Sequence, residues 1–88
     1  VILDVRTPEE YEAAHIEGSV LINYLDTENF KKEILTLDTN KNYLLYCRTG
    51  KRSFSAATFM KENGFKKVKH LKDGITGWQG PTVTGKEK

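Results

Sequence analysis

The chain holds one cysteine, Cys47, within its most chemically loaded stretch, Tyr46-Cys47-Arg48-Thr49-Gly50-Lys51-Arg52-Ser53. The apolar run Tyr43-Leu44-Leu45-Tyr46 ahead of it reads as a buried strand. The stretch Phe54-Ser55-Ala56-Ala57-Thr58-Phe59-Met60 behind it reads as a helix. A thiol between a strand end and a helix start faces unpaired backbone N–H groups and the positive end of the helix dipole. That field binds anions and favours thiolate over thiol. Cysteines so placed titrate at roughly 3.5–7.5 instead of about 8.5, and they act as nucleophiles at neutral pH. Arg48, Lys51 and Arg52 add positive charge within five residues of the thiol. Gly50 supplies backbone freedom for a tight turn, and Ser53 is expected to cap the helix, with its hydroxyl also within reach of the sulfur. A lone cysteine is more often a buried structural thiol, and loop cations are more often merely solvated. Their clustering at a helix start argues instead for a nucleophile in an anion cradle formed by Arg48, Thr49, Gly50, Lys51, Arg52 and Ser53.

The rest of the chain reads as a scaffold for this loop. Val1-Ile2-Leu3-Asp4-Val5 is a continuous apolar run of the kind found in strands covered on both faces. Thr7-Pro8-Glu9-Glu10 is a strong helix start, with Thr7 as cap, Pro8 in the first turn and Glu10 closing a capping box. This helix is expected to run on until near Gly18, and Ser19–Asn23 forms a second strand. A second helix opens at Asp26 or Thr27 and carries Phe30, Ile34 and Leu35 at core-facing spacing. The polar cluster 38–42 is a turn, and Asn63-Gly64 ends the third helix. Residues 66–71 read as a last strand near a sheet edge, followed by a short turn packing Trp78. Residues 82–88 read as a loose tail behind a single domain of residues 1–81. Alternating strands and helices predict an α/β fold, a small parallel sheet flanked by helices. Ligands of such sheets bind beyond the carboxyl ends of the strands, where Cys47 lies.

Several stretches resemble, in order, signatures of the rhodanese homology family of sulfurtransferases. They are Asp4-Val5-Arg6-Thr7-Pro8-Glu9-Glu10-Tyr11, then His15-Ile16-Glu17-Gly18-Ser19 with Ile22-Asn23, the Cys47–Ser53 loop, and Leu71-Lys72-Asp73-Gly74-Ile75-Thr76-Gly77-Trp78. The resemblance implies a rhodanese-like fold, with Cys47 accepting a sulfane sulfur as a persulfide. It also implies a small anionic donor of the thiosulfate type, held by Arg48, Lys51, Arg52 and the loop N–H groups. A thiol or cyanide, or a protein, would be the acceptor, with no metal or organic cofactor. The chain starts at Val1 without a methionine, which suggests a processed or excised piece; the family's usual first strand and helix do not precede it, so either the piece is trimmed or a neighbouring chain covers the exposed edge. Asp73 stands where glycine is common, a change expected not to touch the loop.

The bulk composition narrows the alternatives. A net charge of +2 over 88 residues argues against nucleic acid or membrane binding driven by global charge. No apolar run approaches the roughly 20 residues of a spanning helix. One cysteine excludes an internal disulfide and suits a reducing, cytoplasmic setting. Asp4 and Arg6 are expected to form a structural ion pair, while His15 and His70 belong to no metal-binding cluster. Two rival functions remain. A cysteine phosphatase would need Cys-x5-Arg, whereas Cys47 to Arg52 is Cys-x4-Arg. A non-enzymatic persulfide carrier or regulatory module would use the same thiol.

Overall fold

A computed structural model describes residues 1–85. Four parallel strands form the central sheet: β1 (Ile2–Asp4), β3 (Ser19–Leu21), β4 (Tyr43–Tyr46) and β5 (Val68–His70), in the order β3-β1-β4-β5. The helices are α1 (Pro8–Ala13), α2 (Thr27–Ile34) and α3 (Lys51–Glu62). A second, two-stranded sheet pairs β2 (His15–Ile16) with β6 (Thr82–Val83).

Alternation along the central strands separates two environments. Leu3, Val5, Leu45 and Cys47 join the main core with Phe30 and Ile34 of α2 and Ala56 and Met60 of α3. Asp4 and Tyr46, adjacent in register, belong to a buried polar network. There Arg6 grips the Asp4 carboxylate through Nε and Nη2, at 2.7 Å for the shortest contact. The Tyr46 hydroxyl donates to the same carboxylate at 2.6 Å and accepts from the Ile16 N–H at 3.0 Å. A charge buried this completely is stable only when fully paired, and removing either partner strands the other. Arg6 and Asp4 therefore form the expected structural ion pair, locking β1 to β4 and to the segment after α1.

The α1 start matches its reading: Thr7 caps, Glu10 closes the box and Pro8 opens the helix. Its end does not. The helix stops at Ala13, well short of Gly18, because residues 15–16 become β2. The His15 ring stacks on Tyr11 at 3.7 Å, and its Nδ1 lies 2.7 Å from the Tyr11 carbonyl oxygen. Leu35 is also corrected. It caps α2 and is 60% exposed, whereas Leu37 packs on the core. β5 is shorter than the run 66–71 and sits at a sheet edge as anticipated. Trp78 is half-buried at the rim, donating from Nε1 to the Pro81 carbonyl. The expected loose tail begins instead as β6, with Val83 opposite His15, and the Gly85 N–H donates to the Glu12 carbonyl at 2.8 Å. Residues 86–88 of that tail lie outside the described residues.

Candidate active site

Cys47 follows β4 directly, at the carboxyl end of a central strand, and only 1% of its surface is exposed. The chain then turns sharply. Gly50, at φ +105°, is the cap of α3, and its N–H donates to the Cys47 sulfur at 3.0 Å. The left-handed conformation and a close approach both require glycine: a Cβ on Gly50 would lie 2.0 Å from the Lys72 carbonyl oxygen. Ser53 was expected at the cap but is the third residue of the helix. Its buried hydroxyl lies 3.2 Å from the Gly50 carbonyl oxygen, which it can donate to, and 3.7 Å from the Cys47 sulfur. Burial alone pushes the Cys47 thiol up. The Ser53 N–H and hydroxyl, with the N–H groups of Gly50 and Thr49, outweigh it and hold the thiol below its ordinary range.

The cations divide. Arg48 and Lys51 are exposed and line different depressions. Arg48 lines a depression of about 330 Å³ with Arg6, Glu10, Ala14 and Thr76. Lys51 lines one of about 650 Å³ with Thr49, Phe54, His70 and Lys72. Arg52 does not stand free: Nη1 and Nη2 donate to the two Glu10 carboxylate oxygens at 2.8 and 3.0 Å. It clamps α3 to α1 and lends its charge to the thiol from a fixed position. This double engagement of Glu10 was hidden in the sequence, where Glu10 serves the capping box alone.

The Arg52 contact, against a smaller cost of burial, lowers the Glu10 carboxyl to about 2, from an ordinary 4.5. A depressed carboxylate stabilises the fold in full above pH 4.5. The contribution drains as pH falls toward 2, because the unfolded chain takes up the proton first. With the side chain 27% exposed, solvent screening reduces the effect. Glu10→Gln, which keeps the capping geometry, is expected to cost about 1–2 kcal/mol at neutral pH. The difference from the parent chain should shrink as pH falls below 4.5. Urea unfolding at pH 7 and pH 3 measures both values; an equal cost at the two pH values would remove the ion pair as its cause.

The closing segment packs against the loop through Gly74 and Ile75. Ile75 N–H donates to the Cys47 carbonyl at 2.9 Å, and a Cβ on Gly74 would lie 2.2 Å from the Arg48 carbonyl oxygen. Asp73 itself has φ −97°, so glycine is not needed there. The sequence reading also missed His70. Its Nδ1 lies 3.0 Å from the Ser53 hydroxyl. Its place at the carboxyl end of a strand was the available signal. Among the described residues, no group of three or more His, Cys, Asp or Glu is placed to hold a metal ion. No helix among them is long and apolar enough to cross a membrane.

These features agree with the comparisons to known proteins. The family model for the rhodanese-like domain matches residues 1–81. YrkF of Bacillus subtilis (strain 168), named as a sulfur carrier protein, is 44% identical over 81 residues, covering 92% of this chain and 42% of YrkF. A tRNA sulfurtransferase of Mannheimia succiniciproducens is 37% identical over 75 residues, covering 84% of this chain and 15% of that protein. The chain thus spans less than half the length of these curated relatives. A solved E. coli rhodanese with anions superposes with a TM-score of 0.80 at 27% identity, covering 96% of each chain. With the family model spanning all but the last seven residues and the fold matching a solved rhodanese, the chain belongs to the rhodanese-like domain family.

Proposed function

We propose that the chain transfers sulfane sulfur through a persulfide on Cys47. The donor is anionic and thiosulfate-like, and the acceptor is a thiophile: cyanide, a small thiol or a thiol on a protein. The observation that carries this reading is the recessed sulfur, which accepts the Gly50 N–H at 3.0 Å beside the Ser53 hydroxyl, under a loop bearing exposed Arg48 and Lys51.

In the first half-reaction the thiolate attacks the outer sulfur of thiosulfate. The donor S–S bond breaks, sulfite leaves with the bonding pair, and a Cys47 persulfide remains. The added sulfur places the reactive atom about 2 Å beyond the Cys47 sulfur. In the second half-reaction the acceptor attacks that outer sulfur and the Cys47 thiolate is released with the electron pair. The loop N–H groups serve the anionic sulfur in both stages, so the site does not reorganise between them. The same persulfide also serves a carrier that hands sulfur to another protein, the role for which YrkF is named. The Cys-x4-Arg spacing and the engagement of Arg52 by Glu10 disfavour a phosphatase, whose arginine must face the oxyanion.

The test is intact-protein mass after thiosulfate. A gain of one sulfur that cyanide removes is expected, and no gain with thiosulfate or with persulfide donors would overturn the proposal. Lys51→Ala refines it. Removing this exposed cation is expected to weaken thiosulfate use about fivefold, roughly 1 kcal/mol, with less effect on an uncharged persulfide donor. Equal losses with both donors would deny Lys51 an electrostatic role.

A further inference from the structure

His70 has no part in the mechanism above, yet it is joined to the reacting sulfur by one intervening hydroxyl. The Cys47 sulfur lies 3.7 Å from Ser53 Oγ, and Ser53 Oγ lies 3.0 Å from His70 Nδ1. Ser53 is fully buried, whereas His70 is half-buried and lines the 650 Å³ depression that opens to solvent. The geometry points to His70 as a positioning residue that takes the thiol proton of Cys47 through the Ser53 hydroxyl and then turns that hydroxyl toward the sulfur.

A serine hydroxyl has a single proton to donate. With Cys47 as thiol and His70 neutral, S–H donates to Oγ, and the single O–H has two acceptors, the Gly50 carbonyl oxygen at 3.2 Å and His70 Nδ1 at 3.0 Å; when it takes Nδ1, every proton of the chain points away from the sulfur. Proton transfer along it moves the thiol proton to Oγ and the hydroxyl proton to Nδ1. The products are thiolate and imidazolium, with no change in electron count. The polarity of the chain is then reversed: Nδ1–H donates to Oγ, and O–H donates to the sulfur. The step that removes the proton thus also supplies a hydrogen bond to the thiolate, and later to the persulfide. Burial makes such a route useful, because a thiol only 1% exposed has little direct contact with water to take its proton.

The groups around His70 set limits on the charge it can hold. The Phe54 ring of α3 packs edge-on against it at 5.7 Å, and Leu45 of β4 is its partner in register. Lys51 of α3 and Lys72 of the closing segment share its depression, and both oppose an imidazolium. No carboxylate lines that depression among the described residues. The compensating negative charge is then the Cys47 thiolate at the other end of the chain, so the two charges should rise and fall together.

This inference rests on Cys47 being the reacting thiol, so the test reads the thiol directly and needs no sulfur donor. The rate of alkylation by iodoacetamide is followed from pH 5 to pH 10 in the parent chain and in His70→Leu, His70→Gln, Ser53→Ala and Ser53→Ala/His70→Leu. His70→Leu is expected to move the midpoint of the profile up by about one unit, and to slow alkylation at neutral pH roughly tenfold. In the Ser53→Ala background the same change should have no further effect, because the connection is already cut. His70→Gln keeps a partner for Ser53 but cannot take a proton, so it should follow Leu. A His70→Leu profile that superimposes on the parent, an undiminished effect in the Ser53→Ala background, or a His70→Gln profile equal to the parent would each overturn the relay. His70 lies at the partly exposed end of an edge strand, so its two variants decide the matter even if Ser53→Ala fails to fold. Normal alkylation together with absent sulfur loading would count against the sulfur-transfer proposal and leave the relay standing.

Discussion

Cys47→Ser is expected to reduce sulfur transfer by at least about a thousandfold, the scale on which enzymes lose activity when their nucleophile is removed. The reason is chemical. A serine hydroxyl stays protonated at neutral pH in the field that ionises the thiol, and oxygen cannot form the persulfide. The fold should survive, because the replacement is nearly isosteric and the new oxygen meets donors already in place. Gly50 N–H lies 3.0 Å from the sulfur position, and the Ser53 hydroxyl is close by. The structural cost should stay below about 1.5 kcal/mol, as for other volume-conserving changes, offset in part by those hydrogen bonds. Mass spectrometry after thiosulfate and thermal unfolding monitored by circular dichroism measure the two halves of the claim. Residual cyanide-labile sulfur on the Ser variant would mean that the sulfur is carried elsewhere.

The second large effect is on stability. Gly50→Ala combines two penalties: the backbone is held at φ +105°, and the new methyl would sit 2.0 Å from the Lys72 carbonyl oxygen and 2.9 Å from its carbon. Because the obstacle is backbone, it cannot swing aside as a flexible side chain would. Relief requires the Cys47 loop and the closing segment to separate, breaking contacts such as Ile75 N–H to the Cys47 carbonyl at 2.9 Å. A loss of about 2–4 kcal/mol is expected, against a total of roughly 5–10 kcal/mol for a domain of this size. The midpoint of thermal unfolding should fall by about 10 °C or more. Gly64→Ala separates the two penalties. Gly64 has φ +92° but nothing within 4 Å of the added carbon, so the conformational term of about 1 kcal/mol stands alone there. If both variants lose the same stability, the close approach to Lys72 is not a constraint, and the loop is not held from below.

The difference between what the residues announce and what the fold decides follows from the range of each signal. Local signals were legible. Thr7-Pro8-Glu9-Glu10 specifies a helix start through bonds that span only three residues, and the structure forms both halves of that box. The strand–cysteine–helix succession specifies a thiol at a strand end under N–H donors, since covalent order alone puts the loop there. The α/β class follows in the same way from alternating periods. Boundaries that depend on non-local pairing were not legible. β2 and β6 are two residues each, and each exists only because the other lies beside it. Residues 82 and 83 carry no internal sign of being a strand, so they resembled a tail.

The same rule governs the site. From the sequence alone, Cys47 and its six loop neighbours could be proposed as a nucleophile and anion cradle, because all seven are contiguous. It could not show that Arg52 is held by Glu10, which is 42 positions away. Nor could it show that Ser53 meets His70 17 positions on, or that Gly50 rests on Lys72. Each of these depends on the parallel sheet bringing α1, α3 and the end of β5 to the same side of one strand end. Sequence order thus put the candidate reactive groups side by side; the tertiary structure decided which of them are already held by distant partners. The cause is physical: a hydrogen bond acts over about 3 Å, and only folding brings distant residues that close.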